Sequence, residues 1–134
     1  MVLAYILIAC FLGTALSLAI AALVAFRVQA LDVAPADVIA WMGPTIGPAA
    51  FEVGPEVREA FVAADPEAQA AFTPHTPGKY LADLYALARQ RLRRAGVGKI
   101  SGGGFCTYRE TDRFFSYRRE KMSGRMGAFI WMEE

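Results

Sequence analysis

The stretch Val38-Ile39-Ala40-Trp41-Met42-Gly43-Pro44-Thr45-Ile46-Gly47-Pro48 runs a short apolar segment into two Gly-Pro steps four residues apart. Its first five residues read as a strand, rich in β-branched and large apolar side chains. Gly43-Pro44 ends it, because proline has no amide hydrogen to give to a strand ladder. Residues 43–48 therefore predict a fixed loop, neither helix nor ladder. A strand that stops in a rigid loop, within a chain that also carries helical periodicity, predicts an α+β domain built on a mixed β-sheet with flanking helices.

The flanks extend this pattern. Asp32 to Ala36 reads as a Pro-containing turn, and Phe51-Glu52-Val53 as a second extended segment. Gly54-Pro55 opens a helix with proline at its first position, Glu56 in its first turn, and Val57, Phe61 and Val62 as the apolar stripe. Asp65 caps a further short helical piece at Pro66. Residues 73–78 read as loop, and Lys79 to Ala95 as a helix with Leu81, Leu84, Tyr85, Ala88 and Leu92 at helical spacing and Gly96 as its stop. Val97 to Ile100 predicts a strand. Arg113–Tyr117 and Met126–Met132 predict two more, joined at Ser123-Gly124.

The chain has 134 residues, 55% hydrophobic and 20% charged, which suits one domain and excludes a disordered tail. A formal net charge of +1 gives no global field for nucleic acid. The charge is divided, however. Residues 32–78 carry seven acids and one Arg, whereas residues 79–134 carry twelve bases and six acids.

A mean hydropathy of +0.31 reflects an excess at the N-terminus. Met1 to Phe26 holds no charged side chain, and Arg27 is the first. Residues 1–31 support two readings. A run of this length suffices for a bilayer span, which needs about 20 apolar residues, and predicts membrane contact through residues 1–26. Alternatively, Val2 to Ile8 is a buried strand, Gly13-Thr14 a junction, and Ala15 to Leu31 a helix. The run is a poor signal peptide, with no positive n-region and too long an apolar stretch.

Few residues suggest chemistry by type and spacing. His75 is the only histidine and sits in a Pro-flanked loop, where a surface role is the simpler reading. One His and two separated Cys cannot supply a cysteine–histidine zinc site, so no metal ligand is assigned. Gly102-Gly103-Gly104 matches no phosphate-binding loop and reads as backbone freedom at a tight packing point. Cys106 reads as a small buried apolar residue. Arg118 and Arg119, with Arg113, Lys121 and Arg125, lie beside Phe114, Phe115 and Tyr117. Guanidinium groups next to stacking rings suit a nucleoside or phosphate, and a solvated cationic hairpin fits the same residues.

Several motifs occur together in one order. Trp41-Met42-Gly43-Pro44-Thr45-Ile46-Gly47-Pro48 is followed by Phe51-Glu52-Val53-Gly54, Leu81-Ala82-Asp83-Leu84 and Gly102-Gly103-Gly104-Phe105-Cys106-Thr107. Arg113-Phe114-Phe115-Ser116-Tyr117-Arg118-Arg119, Gly124-Arg125-Met126 and Ile130-Trp131 complete the set. Over residues 32–132 this resembles the C-terminal half of the polyphenol oxidase or laccase-domain family, the YfiH-like proteins also described as purine nucleoside phosphorylases.

The resemblance implies a YfiH-like fold lacking the family's N-terminal part, with 1–31 a degenerate family segment and 32–134 the C-terminal part of the domain. It implies purine nucleoside and phosphate as partners, in phosphorolysis of adenosine, inosine and methylthioadenosine, with adenosine deamination and copper-dependent phenol oxidation as further family labels. It implies zinc or copper in the family, held by two His and a Cys whose motifs this sequence does not show. Aligned from Gly13-Thr14-Ala15, Ile8 stands where the family has a metal His and Leu12 where it has an Arg. This chain is therefore expected to bind neither metal. Arg118, Arg119, Phe115 and Cys106 are the residues the resemblance offers for substrate binding, in a cytoplasmic protein. Three readings follow: the family enzyme, with a partner chain supplying the missing half; a catalytically dead remnant that folds as, or binds to, a partner of the same family; and a membrane-anchored interaction module.

Overall fold

A computed structural model describes residues 33–127. The N-terminal run and both readings placed on it lie outside these residues, as does the end of the strand expected over 126–132. No helix among the described residues is long and apolar enough to cross a membrane.

Strand β1 (Ile39–Met42) forms where the sequence predicts it, with Ala40 and Met42 buried and Ile39 and Trp41 half-buried, the two-residue period of a pleated strand. It pairs in parallel with β5 (Lys99–Gly102), from Ile39 opposite Lys99 to Met42 opposite Gly102. A second, antiparallel sheet has β4 (Tyr80–Ala82) at its centre, flanked by β2 (Glu52–Val53) and β3 (Phe72–Pro74). The α+β expectation with parallel and antiparallel pairing holds, with the described strands divided between two sheets.

Helix α1 (Pro55–Ala64) has Pro55 and Glu56 in its first turn as expected, and ends at Asp65 because the following proline disfavours helical backbone there. The Asp65 carboxylate then accepts the amide of Glu67 at 3.0 Å, starting the 3-10 turn Pro66–Ala71. Asp65 is buried, and Arg94 donates to it at 2.7 Å from the end of helix α2 (Leu84–Arg94). Helix α2 closes with the Gly96 amide on the Arg93 carbonyl, the Val97 amide on the Leu92 carbonyl, and Gly96 at φ 83°. That paired arrangement satisfies two end carbonyls and needs a left-handed residue, which glycine supplies without strain.

Four expectations are corrected. Residues 73–78 are not all loop, because Thr73 and Pro74 continue β3 opposite Leu81 and Tyr80. The helix does not begin at Lys79, because residues 80–82 are the central strand of the antiparallel sheet and Asp83 caps the helix by accepting from the Ala86 amide at 2.9 Å. Two-sided strand pairing outweighs the helical spacing of Leu81. The strand expected over 97–100 lies two residues later. Residues 113–117 form no strand, and no hairpin joins them to 126; the amides of Arg113 and Phe114 turn back onto the Glu110 carbonyl, and those of Arg119 and Glu120 onto the Ser116 carbonyl. With those groups satisfied locally, no ladder is required.

Helix α2 connects two cores. Leu87 packs with Val53, Phe61, Ala68, Ala71, Phe72 and Ala82, between the antiparallel sheet and α1. Leu92 packs with Val38, Ala40 and Val97 over the parallel pair. Full burial of each leucine contributes about 1.5–3 kcal/mol, so α2 fixes both sheets against one element.

Candidate functional site

The chain leaves β1 and β5 at the same end of the parallel pair, so two loops run side by side: Gly43–Pro48 and Gly103–Thr107. Parallel strands present their loops at their carboxyl ends, where α/β proteins commonly build sites. The loops are laced together. The Gly103 amide donates to the Met42 carbonyl at 3.1 Å and the Thr107 amide to the Thr45 carbonyl at 3.0 Å. Tyr85 of α2 spans both, its hydroxyl accepting the Thr45 amide at 3.0 Å and donating to the Phe105 carbonyl at 3.1 Å. Burial pushes the Tyr85 phenol above its ordinary value near 10, because the phenolate would have to form in a poorly solvated position.

Gly102, Gly103 and Gly104 all have positive φ, between 81° and 92°. A side-chain carbon on Gly102 would strike the Met42 backbone, and one on Gly103 would meet Arg89 and the Tyr85 ring. Only Gly104 faces open space. The glycine run is a close-packing device at its first two positions, as the sequence suggests, and Arg89 fixes it by donating to the Gly102 carbonyl at 2.9 Å.

Cys106 is half-buried. Its thiol accepts the Gly47 amide at 3.2 Å, and its own amide donates to a Glu110 carboxylate oxygen at 2.6 Å. The other Glu110 oxygen accepts from Arg113 at 2.8 Å. The Arg113 guanidinium lies 5.0 Å from the centroid of the Phe105 ring and 5.2 Å from that of Phe114, and the two rings meet edge to face. This is a cationic–aromatic cluster with an exposed guanidinium over two half-buried rings.

The four residues singled out for substrate binding separate into two kinds. Arg119 directs its donors inward, to the carbonyls of Thr107 at 2.7 Å, Tyr108 at 2.9 Å and Phe114 at 2.8 Å, with its Nε on Glu120. Cys106 is similarly engaged with Gly47 and Glu110. Arg118 is exposed and lies over the Phe51 ring at 5.2 Å, and Phe115 is exposed beside Gly124. Tyr85, Glu110 and Phe105 join the site through contacts that no sequence motif marks. A tyrosine on the apolar stripe of a helix is the one signal that could have found Tyr85, since a buried phenol needs a partner.

His75 is exposed, with Nδ1 3.9 Å from the Glu52 carboxylate. Among the described residues no three His, Cys, Asp or Glu side chains converge as a metal site requires. These residues do not fit zinc or copper, and no step is assigned to either.

The fold and its laced loops define an α+β unit with one parallel and one antiparallel sheet. The family described as multi-copper polyphenol oxidoreductase laccase matches residues 12–133, and the chain belongs to it. Purine nucleoside phosphorylase YfiH of Shigella flexneri is 61% identical over 98 residues, covering 73% of this chain and 40% of that protein. A purine nucleoside phosphorylase of Pseudomonas aeruginosa is 51% identical over 108 residues, covering 80% of this chain and 45% of it. A crystal structure of a Neisseria meningitidis protein superposes with a TM-score of 0.73 at 47% identity, covering 78% of this chain and 42% of that one. YlmD from Geobacillus stearothermophilus gives 0.70 at 33% identity over 81% and 41%. The chain thus spans less than half the length of these relatives.

Proposed function

We propose that this chain contributes one part of a purine nucleoside phosphorylase, the part that lacks the metal ligands. The observation that carries the reading is the 61% identity over 98 residues to a protein named for that activity. The reaction joins a phosphate oxygen to the sugar C1′ as the bond from C1′ to the purine nitrogen breaks, and the base departs with a proton. In this reading Arg118 and Phe115 supply charge and ring surface to the nucleoside or phosphate. Cys106 and Arg119 hold the backbone behind them. In this reading the protein works in the cytoplasm, and the 134 residues act only together with the missing part, since Ile8 stands where the family has a metal His.

The test is base release from inosine with and without phosphate. One sample is the 134-residue chain, and the other is the same chain fused behind the segment of the Shigella relative that it does not match. The fusion, supplied with zinc or copper, should release base only with phosphate, and the chain alone should not. A folded, metal-loaded fusion no faster than the chain alone would overturn the reading.

A further inference from the structure

Two exposed arginines of the coil after β5 are fixed on one short turn. The Ala50 and Phe51 amides both turn back onto the Gly47 carbonyl, at 3.0 and 3.1 Å, and close residues 47–51 into a turn just before β2. Arg109 donates from Nη2 to the Ala49 carbonyl at 3.3 Å. The Arg118 guanidinium lies 5.2 Å from the centroid of the Phe51 ring. The two cations are thus tied to points two residues apart on that turn.

Neither is neutralised by the chain. The ion pairs among the described residues join Arg94 to Asp65, Arg113 to Glu110 and Arg119 to Glu120, and set His75 near Glu52. Arg109 and Arg118 take part in none of them. The acids around them are engaged elsewhere: Glu110 with the Cys106 amide and Arg113, Glu120 with Arg119, and Glu52 with Thr76. Asp112 pairs with neither arginine. The anchoring also spares their donors. Stacking on Phe51 uses the flat face of the Arg118 guanidinium and leaves its N–H edge for a ligand. Arg109 commits a single nitrogen to Ala49.

We infer that Arg109 and Arg118 form an anion subsite on the 47–51 turn that takes a phosphate dianion, either free phosphate or a phosphate monoester. Two like charges brought to one turn repel each other, and a dianion bound by both removes that repulsion. Its oxygens also accept charge-assisted bonds from two forks that are already held in place. The role of the subsite rests on the proposed function, as the place where that reaction's phosphate is held, and it adds Arg109 to the residues that hold it.

The experiment titrates inorganic phosphate, and separately glycerol phosphate, into the 134-residue chain by calorimetry at low salt. Arg109→Gln and Arg118→Gln should each weaken binding by about tenfold, the loss of one charge-assisted contact. Arg93→Gln removes the same charge from the last turn of α2 and should leave binding within about twofold. Binding of phosphate without the monoester assigns the subsite to the free anion, and the reverse to an esterified one. No binding of either, or equal weakening by Arg93→Gln, would overturn the inference. A second measurement uses the unaltered chain, so that it stands even where a variant fails to fold. Phosphate should slow phenylglyoxal modification of Arg109 and Arg118 but not of Arg93, read site by site by mass spectrometry. Arg109 and Arg118 left unprotected would overturn the inference. Binding that depends on the pair, in a fusion without phosphorolysis, would sink only the proposed function. Phosphorolysis with a phosphate KM unmoved by both substitutions would sink only the subsite.

Discussion

The Thr45 amide donates its hydrogen to the phenolic oxygen of Tyr85 at 3.0 Å, across forty residues of sequence. The same oxygen donates onward to the Phe105 carbonyl, so one hydroxyl holds the loops after β1 and β5 together. Tyr85→Phe keeps the ring and leaves both backbone groups unpaired, which should cost about 1–3 kcal/mol in urea unfolding. The raised phenol adds a pH dependence of definite sign. Above pH 10 the unfolded chain gives up this proton before the folded one, so Tyr85 stabilises fully below that pH and its contribution declines as pH rises toward the folded value. Melting curves from pH 8 to 11.5 should therefore fall more steeply for the wild type than for Tyr85→Phe.

Gly102 and Gly104 share a positive φ but differ in surroundings. Gly102→Ala adds a clash with the Met42 backbone to the left-handed cost and should destabilise by about 3 kcal/mol or more. Gly104→Ala carries only the left-handed cost, about 1–2 kcal/mol. Equal losses in chemical denaturation would contradict the close approach at Gly102.

Arg119 and Arg118 are neighbours with opposite duties. Arg119→Lys keeps the charge and loses the fork that holds three carbonyls, so it should cost about 2 kcal/mol or more. Arg118→Ala removes an exposed side chain over Phe51 and should stay within about 1 kcal/mol. Calorimetry with inosine or phosphate on the assembled enzyme should instead show the larger affinity loss for Arg118→Ala.

The purified 134-residue chain should hold far less than one equivalent of zinc or copper, since a catalytic zinc normally takes three protein ligands. Elemental analysis after desalting checks this. Stoichiometric metal that disappears in Cys10→Ser or His75→Ala would show a ligand set that the described residues do not reveal.

Local chemistry is what the sequence made readable. Gly43-Pro44, Pro55 with Glu56, Asp65-Pro66 and Gly96 each impose a backbone consequence within a few residues, and each appears in the fold where expected. Residues 80–82 depart from the helix their spacing predicts because strand pairing with β2 and β3 depends on partners distant in sequence, and Leu81 also fits a helical stripe. The coil at 113–117 has the aromatic character of a strand, and only the folded chain shows Arg119 meeting its carbonyls. At the candidate site Cys106 and the arginines were legible as residue types. Their division into inward clamps and outward groups is set by tertiary contacts, as is the part played by Tyr85.

The two sheets also differ in how far along the chain their partners lie. Phe72 meets Ala82 after ten residues, whereas Ile39 meets Lys99 only after sixty. Closing the longer loop costs more entropy, and long-range pairing slows folding. The antiparallel sheet with α1 can therefore form early, while β1 waits for β5. During synthesis, β1 leaves the ribosome well before its partner exists, and its row of apolar side chains stays unpaired until β5 follows.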